Sequence, residues 1–137
     1  MLTDLNAPCP CLSGTSFESC CAPKLMQLAP AKTAEQLMRS RYTAFCLGAV
    51  DYLIKTLAPE RRSVNERRML ERELGQTKWI KLEILDTQAG SATDKTGIVE
   101  FNAYFEASGE RGCLHERSNF RREGEQWFYV DGEVEVK

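Results

Sequence analysis

The chain is short of several features that would narrow its role at once. It holds one histidine, His115, so any histidine-based mechanism has to run through that residue. No stretch approaches the roughly 20 apolar residues that a membrane-spanning helix needs. Positive charge is not in excess: 18 lysines and arginines stand against 20 acidic residues, with a net charge of -2 and a pI near 5.5. A basic field that would gather DNA or anionic lipid is therefore missing, and neither DNA nor a membrane is an expected partner. The opening residues MLTDLNAP carry no cationic and apolar segments of the secretory kind, so a cytoplasmic address is expected. There is no internal repeat and no low-complexity tract. What is present is an ordinary globular composition, 42% hydrophobic and 28% charged. A chain of 137 residues is about one domain and can bury a core without disulfides.

Cysteine is the exception to this plainness. Four of the six cysteines fall within CPCLSGTSFESCC, residues 9–21. Reduced thiols gathered in a cytoplasmic chain are more often metal ligands than disulfides. Cys20 and Cys21 are adjacent, and a disulfide between neighbours demands strained geometry. Two cysteine pairs, Cys9 with Cys11 and Cys20 with Cys21, can surround one ion, and Zn²⁺ takes four thiolates in a tetrahedron. Ser13-Gly14 supplies a turn between the pairs, and Phe17 can cover the site. The same residues resemble the SEC-C motif, C-x-C-x-S-G-x-x-[YF]-x-x-C-[CH], known from the tail of the SecA translocation ATPase. That resemblance implies Zn²⁺ held by Cys9, Cys11, Cys20 and Cys21. It departs at Thr15-Ser16, where the motif usually carries lysines that help it contact acidic partners.

Residues 22–32, with two prolines, read as a linker. A helix is expected from Thr33, with Thr33 as cap and Gln36 completing a capping box. Leu37, Met38, Arg41, Tyr42 and Phe45 follow at helical spacing, and Gly48 interrupts. A second helical run, Ala49 to Thr56, ends before Pro59. A third runs from a Ser63 cap to Gly75. The period then changes to two. KWIKLEILD sets Ile80, Leu82 and Ile84 on one face, and TGIVEFNAYFEA sets Val99, Phe101, Ala103 and Phe105 together. CLHERSNFRR divides Leu114, Glu116, Ser118 and Phe120 from His115, Arg117, Asn119 and Arg121. QWFYVDGEVEV is the last strand. Helices followed by four strands on short turns predict an α+β fold, a curved antiparallel sheet with helices on one face.

The runs TAEQLMRSRYTAFCLGAVDYLIKTLAP and HERSNFRREGEQWFYVDGE resemble the bacterial YchJ-like family, which joins a SEC-C motif to an NTF2-like domain. The resemblance implies a knuckle and linker over residues 1–28 and an NTF2-like cone over 29–137. It implies no particular reaction, because NTF2-like folds host enzymes, binding modules and dimer scaffolds alike.

Within the cone, Glu116 is the first candidate for chemistry. It shares its strand face with Leu114 and Phe120, so it is expected to point toward the helices with Ser118, while His115 faces out. Arg39 or Arg41 is its expected ion-pair partner. Glu116, Ser118, Tyr42, Arg41, Phe101 and Trp127 form the candidate ligand pocket, and Glu116 with Tyr42 can be drawn as a proton-transfer pair. Cys46 and Cys113 read as solitary, inert thiols. Three functions remain, in order: a zinc-bearing interaction or adaptor module whose knuckle meets a protein or ribosomal partner, a small-molecule binding module, and an enzyme of the dehydratase or isomerase kind. A homodimer through the sheet is a further expectation. The knuckle should depend on its ion, and the body should not.

Overall fold

The computed structural model describes residues 4–137. Its elements run in the order α1 (Ala22–Leu25), α2 (Ala34–Leu47), α3 (Val50–Lys55), α4 (Glu66–Gln76), β1 (Lys78–Ala89), β2 (Thr96–Ala107), β3 (Glu110–Glu123) and β4 (Gln126–Val136). The four strands form one antiparallel sheet in chain order, β1-β2-β3-β4. The α+β fold is as expected, with an N-terminal cysteine knuckle ahead of it.

Local chemistry sets the helix ends. Thr33 is extended, and its Oγ1 accepts the amide of Gln36 at 3.0 Å, which satisfies one of the four orphan amides of the first turn. Gln36 turns back one residue further than a capping box requires, to the amide of Lys32 at 2.9 Å. Gly48 closes α2 in the left-handed region at φ 75°. Two expectations for α4 are corrected. Its cap is Asn65, two residues after Ser63, and Ser63 instead folds against the Glu66 carboxylate. The helix also runs through Gly75 to Gln76, because Gly75 does not take the left-handed conformation of a helix-ending glycine.

The sheet departs from strict alternation at three bulges. On β1, Trp79 pairs with Phe105 and Lys81 with Tyr104, so Ile80 is the extra residue. Ile80 is therefore exposed, and Trp79 takes the inward place beside Leu82. The expected grouping of Ile80 with Leu82 and Ile84 is corrected accordingly, because each bulge reverses the parity of what precedes it. A second β1 bulge leaves Leu85 exposed. The third lies on β4 at Val130, between the pairs Asn119–Asp131 and Phe120–Tyr129. β3 itself is regular.

The core lies between α2 and the inner sheet face. Leu37, Met38 and Tyr42 pack on Leu82, Val99, Phe101, Ala103, Phe120 and Trp127. Each large side chain buried there is worth about 1.5–3 kcal/mol of transfer free energy. Three knuckle cysteines and Phe17 belong to this same cluster. The Trp127 indole Nε1–H donates to the Lys32 carbonyl at 3.2 Å and ties the linker to β4. A smaller cluster of Ala44, Tyr52, Leu53 and Leu70 sits under α4. Part of the β4 edge is closed by the chain after α3: the Ala58 amide donates to the Tyr129 carbonyl and the Tyr129 amide to the Thr56 carbonyl, both at 2.8 Å.

Candidate metal centre

The knuckle is a tight hairpin followed by a helical turn. Pro8 bridges Ser16, and the Cys9 amide donates to the Thr15 carbonyl at 3.0 Å. Gly14, at φ 94°, makes the turn, and Leu12 also lies in the left-handed region at φ 62°. The chain then coils through Phe17, whose carbonyl accepts the amides of Cys20 and Ala22, each at 3.1 Å. This brings the two cysteine pairs face to face.

The sulfurs of Cys9, Cys11, Cys20 and Cys21 all lie within 4.8 Å of one another. Cys11 and Cys20 are 3.6 Å apart at sulfur, and Cys20 and Cys21 are 3.8 Å apart. Four sulfurs held about 2.3 Å from one tetrahedral ion would stand about 3.8 Å apart, so the set fits a metal ion. The cysteines are free of disulfides. Cys9, Cys11 and Cys21 are buried, and Cys20 is half-buried. Without a cation, thiolates so close cannot all ionise. The Cys9 thiol is held well below its ordinary value, first by a hydrogen bond from Cys11 and then by one from Cys21. Cys21 is driven the other way, first by Cys11 and then by Cys9. A divalent cation removes that competition.

Polar groups outside the four cysteines face the cluster. Thr43 on α2 donates its hydroxyl to the Cys21 sulfur at 3.4 Å and lies 3.8 Å from the Cys9 sulfur. The Ser13 hydroxyl is 3.1 Å from the Cys20 sulfur. Arg39 donates to the Cys11 carbonyl at 2.8 Å and Lys24 to the Cys20 carbonyl at 2.9 Å.

The residues proposed for the cone lie elsewhere. Glu116 is 8% exposed and Ser118 fully buried, both turned toward the helices. Glu116 does not pair with an arginine. Its Oε2 accepts the Ser118 hydroxyl at 2.7 Å and the Tyr129 hydroxyl at 2.6 Å. Arg39 serves Cys11 and Glu35 instead. Arg41 gives its bonds to the Leu53 carbonyl and the Thr56 hydroxyl, and stacks 4.9 Å from the Tyr129 ring. Burial holds the Arg41 guanidinium down to about 10, still charged at neutral pH. The tyrosine that meets Glu116 is thus Tyr129. Tyr42 packs edge-on to Trp79. His115 faces outward, 2.7 Å from Glu100, which also takes Arg117 at 2.9 Å. Burial pushes the Cys46 thiol up to about 11, which leaves it unreactive at neutral pH.

A cavity of about 390 Å³ lies between the linker and the turn joining β3 to β4. Lys24, Ala31, Leu37, Tyr52, Glu123 and Trp127 are among its walls. Of the six residues suggested for a pocket, only Trp127 lines it. Arg41, Tyr42, Phe101, Glu116 and Ser118 pack in the interior. No helix among the described residues is long and apolar enough to cross a membrane.

A four-cysteine knuckle seated on a helix-covered antiparallel sheet defines a SEC-C motif joined to an NTF2-like domain. The SEC-C motif matches residues 6–23, and the family described as "YchJ, middle NTF2-like domain" matches residues 33–132. The chain belongs to the YchJ family. It is 44% identical to a UPF0225 protein of Vibrio parahaemolyticus, over 93% of this chain and 75% of that protein. It is 45% identical to a UPF0225 protein of Streptomyces coelicolor, over 92% of this chain and 94% of that protein. Among solved structures, a SEC-C motif containing protein from Rhodopseudomonas palustris superimposes with a TM-score of 0.84 at 34% identity, covering 91% of this chain and 96% of that one. A SEC-C motif containing protein from Psychrobacter arcticus gives 0.75 at 26% identity, covering 93% and 82%.

Proposed function

We propose that the protein is a zinc-binding interaction or adaptor module, in which Cys9, Cys11, Cys20 and Cys21 hold one Zn²⁺ and the knuckle meets a protein partner. The observation that carries the reading is the set of four sulfurs within 4.8 Å of one another, with two of the pairs at 3.6 and 3.8 Å, close to the spacing around a tetrahedral ion. An all-thiolate tetrahedron suits zinc or iron. Zinc adds no redox chemistry and acts here as a cross-link, for a structural site with four protein ligands leaves no open position for a substrate. The interaction half is supported by apolar side chains left in solvent on the knuckle and linker: Leu12, Met26 and Leu28 are all more than half exposed.

Protein purified under reducing conditions should contain one zinc per chain by elemental analysis and no visible colour. Absence of metal would remove the reading, and a coloured protein would replace zinc with iron. Cross-linked capture from a cell extract should lose its partner when Met26 and Leu28 are changed to serine. Unchanged capture would refute the docking part.

The enzyme reading gains little support. Glu116 is 8% exposed and bound by two hydroxyls, and it does not line the cavity beside the linker.

A further inference from the structure

We propose that the metal centre is built by two parts of the chain: α2 supplies its outer sphere, with Thr43 as the hydroxyl donor to the sulfurs of Cys21 and Cys9 and Arg39 as the clamp on Cys11. The inference rests on reading the four cysteines as metal ligands.

Thr43 lies inside α2 and is fully buried. A threonine in a helix usually returns its hydroxyl to a carbonyl one turn back. Thr43 does not. Its hydroxyl partners are the two knuckle sulfurs, at 3.4 and 3.8 Å. A neutral thiol is a weak acceptor, and a buried hydroxyl that found only such partners would go nearly unsatisfied. A metal-bound thiolate keeps enough negative charge to accept a charge-assisted bond. The environment of Thr43 therefore makes sense with the centre loaded.

Charge supports the same conclusion. Four thiolates around one dication leave two negative charges in a partly buried place. Two cations lie beside it. Arg39 and Lys24 donate to the carbonyls of Cys11 and Cys20, so they fix the backbone of two ligands as well as balancing charge. Outer groups of this kind orient ligands and tune metal affinity. Packing adds the third observation. Cys9, Cys11 and Cys21 share one apolar cluster with Leu37, Met38 and Tyr42 of α2. The knuckle is not a free finger, and its metal affinity depends on a helix that begins after the linker.

Cobalt titration of the full reduced chain tests this. Co²⁺ in a tetrahedral thiolate site gives a charge-transfer band, and chelator competition then gives the affinity. Thr43→Val keeps the shape and removes the hydroxyl. It should weaken cobalt about ten- to a hundredfold and shift the charge-transfer band, while the metal-free melting temperature stays at the wild-type value. Thr43→Ser should restore both affinity and band. Wild-type affinity and spectrum in Thr43→Val would overturn the proposal. So would a Thr43→Ser variant that behaves like valine, because the methyl group would then be what matters. Should Thr43→Val fail to fold, Arg39→Met carries the test, with a drop in affinity expected and none overturning it. If the wild-type chain itself gives no cobalt band, the metal reading has failed. If wild type loads and the variants load equally, only the outer-sphere proposal has failed.

Discussion

Changing Gly132 to alanine probes the carboxylate buried in the cone. Gly132 pairs with Ser118 across β3 and β4. A Cβ added there would run into Glu116 Oε2 and stand 2.9 Å from its Cγ, well inside the 3.5–4.0 Å at which heavy atoms rest. Glu116 cannot simply swing aside, because the Ser118 and Tyr129 hydroxyls hold the same oxygen. Overpacking of this kind costs roughly 1–3 kcal/mol. Losing a hydrogen bond to the Glu116 side chain adds about 0.5–1.5 kcal/mol for each one. Alanine is otherwise the better strand residue by about 0.5–1 kcal/mol. The net expectation is about 2–4 kcal/mol of destabilisation. At about 3–5 °C per kcal/mol for a chain of this size, melting followed by circular dichroism should fall by roughly 10 °C. Combining Gly132→Ala with Glu116→Ala opens the space again, and about 1–2 kcal/mol of favourable coupling is expected. Gly75→Ala is the control. No atom lies within 4 Å of a Cβ there, and α4 should gain about 0.5–1 kcal/mol. A Gly132→Ala protein that melts like wild type, or a double variant whose effects simply add, would refute the reasoning.

Other perturbations test other parts. Gly97→Ala puts a Cβ 2.5 Å from the Gly90 Cα and 3.0 Å from the Ala34 Cβ. Backbone cannot rotate away, so urea unfolding should show a loss of about 3 kcal/mol or more, and wild-type stability would remove the close contact. Glu60 is held near 2, first by its hydrogen bond from Arg121. A depressed carboxylate stabilises above its unfolded value of about 4.3 and loses that contribution as pH falls toward 2. Glu60→Gln should therefore melt below wild type at pH 6 and converge with it near pH 2, and parallel curves would contradict the assignment. Stripping the metal with a chelator under reducing conditions should lower the melting of the whole chain, because the cysteines and the sheet share a core. A sheet transition indifferent to chelator would refute this and bear out the separable knuckle expected from the sequence.

What could be read in the residues was what short-range pattern encodes. Cysteine spacing picked out four sulfurs that the fold brings within reach of one ion. Alternation gave β3 its inward and outward sides correctly because β3 carries no bulge. It misplaced Ile80 because a bulge is invisible when both its neighbours are apolar or amphipathic. The partner of Glu116 was missed for a related reason. Parity says that a side chain points inward, not how far along the cone it lies. Register across the Val130 bulge, absent from any one-dimensional pattern, sets Tyr129 opposite Phe120 and within reach of Glu116. The signal that could have found it is the inward pair Trp127 and Tyr129 on β4. Thr43 had no signal at all. It reads as one more residue of a helix, and its contact with Cys9 spans 34 positions.

The order of parts along the chain has a consequence for synthesis. The four cysteines and the helix that touches them lie between Cys9 and Leu47, ahead of every strand, and the sheet is finished only at Val136. Chains grow at about 5–20 residues per second, so the last strand follows Thr43 by roughly 5–20 s. Throughout that interval a nascent chain already carries every ligand and every outer donor of the centre. Metal captured then would seat α2 on the knuckle early. The meander, whose strands each pair with the one just made, would then close strand by strand against a helix already held in position.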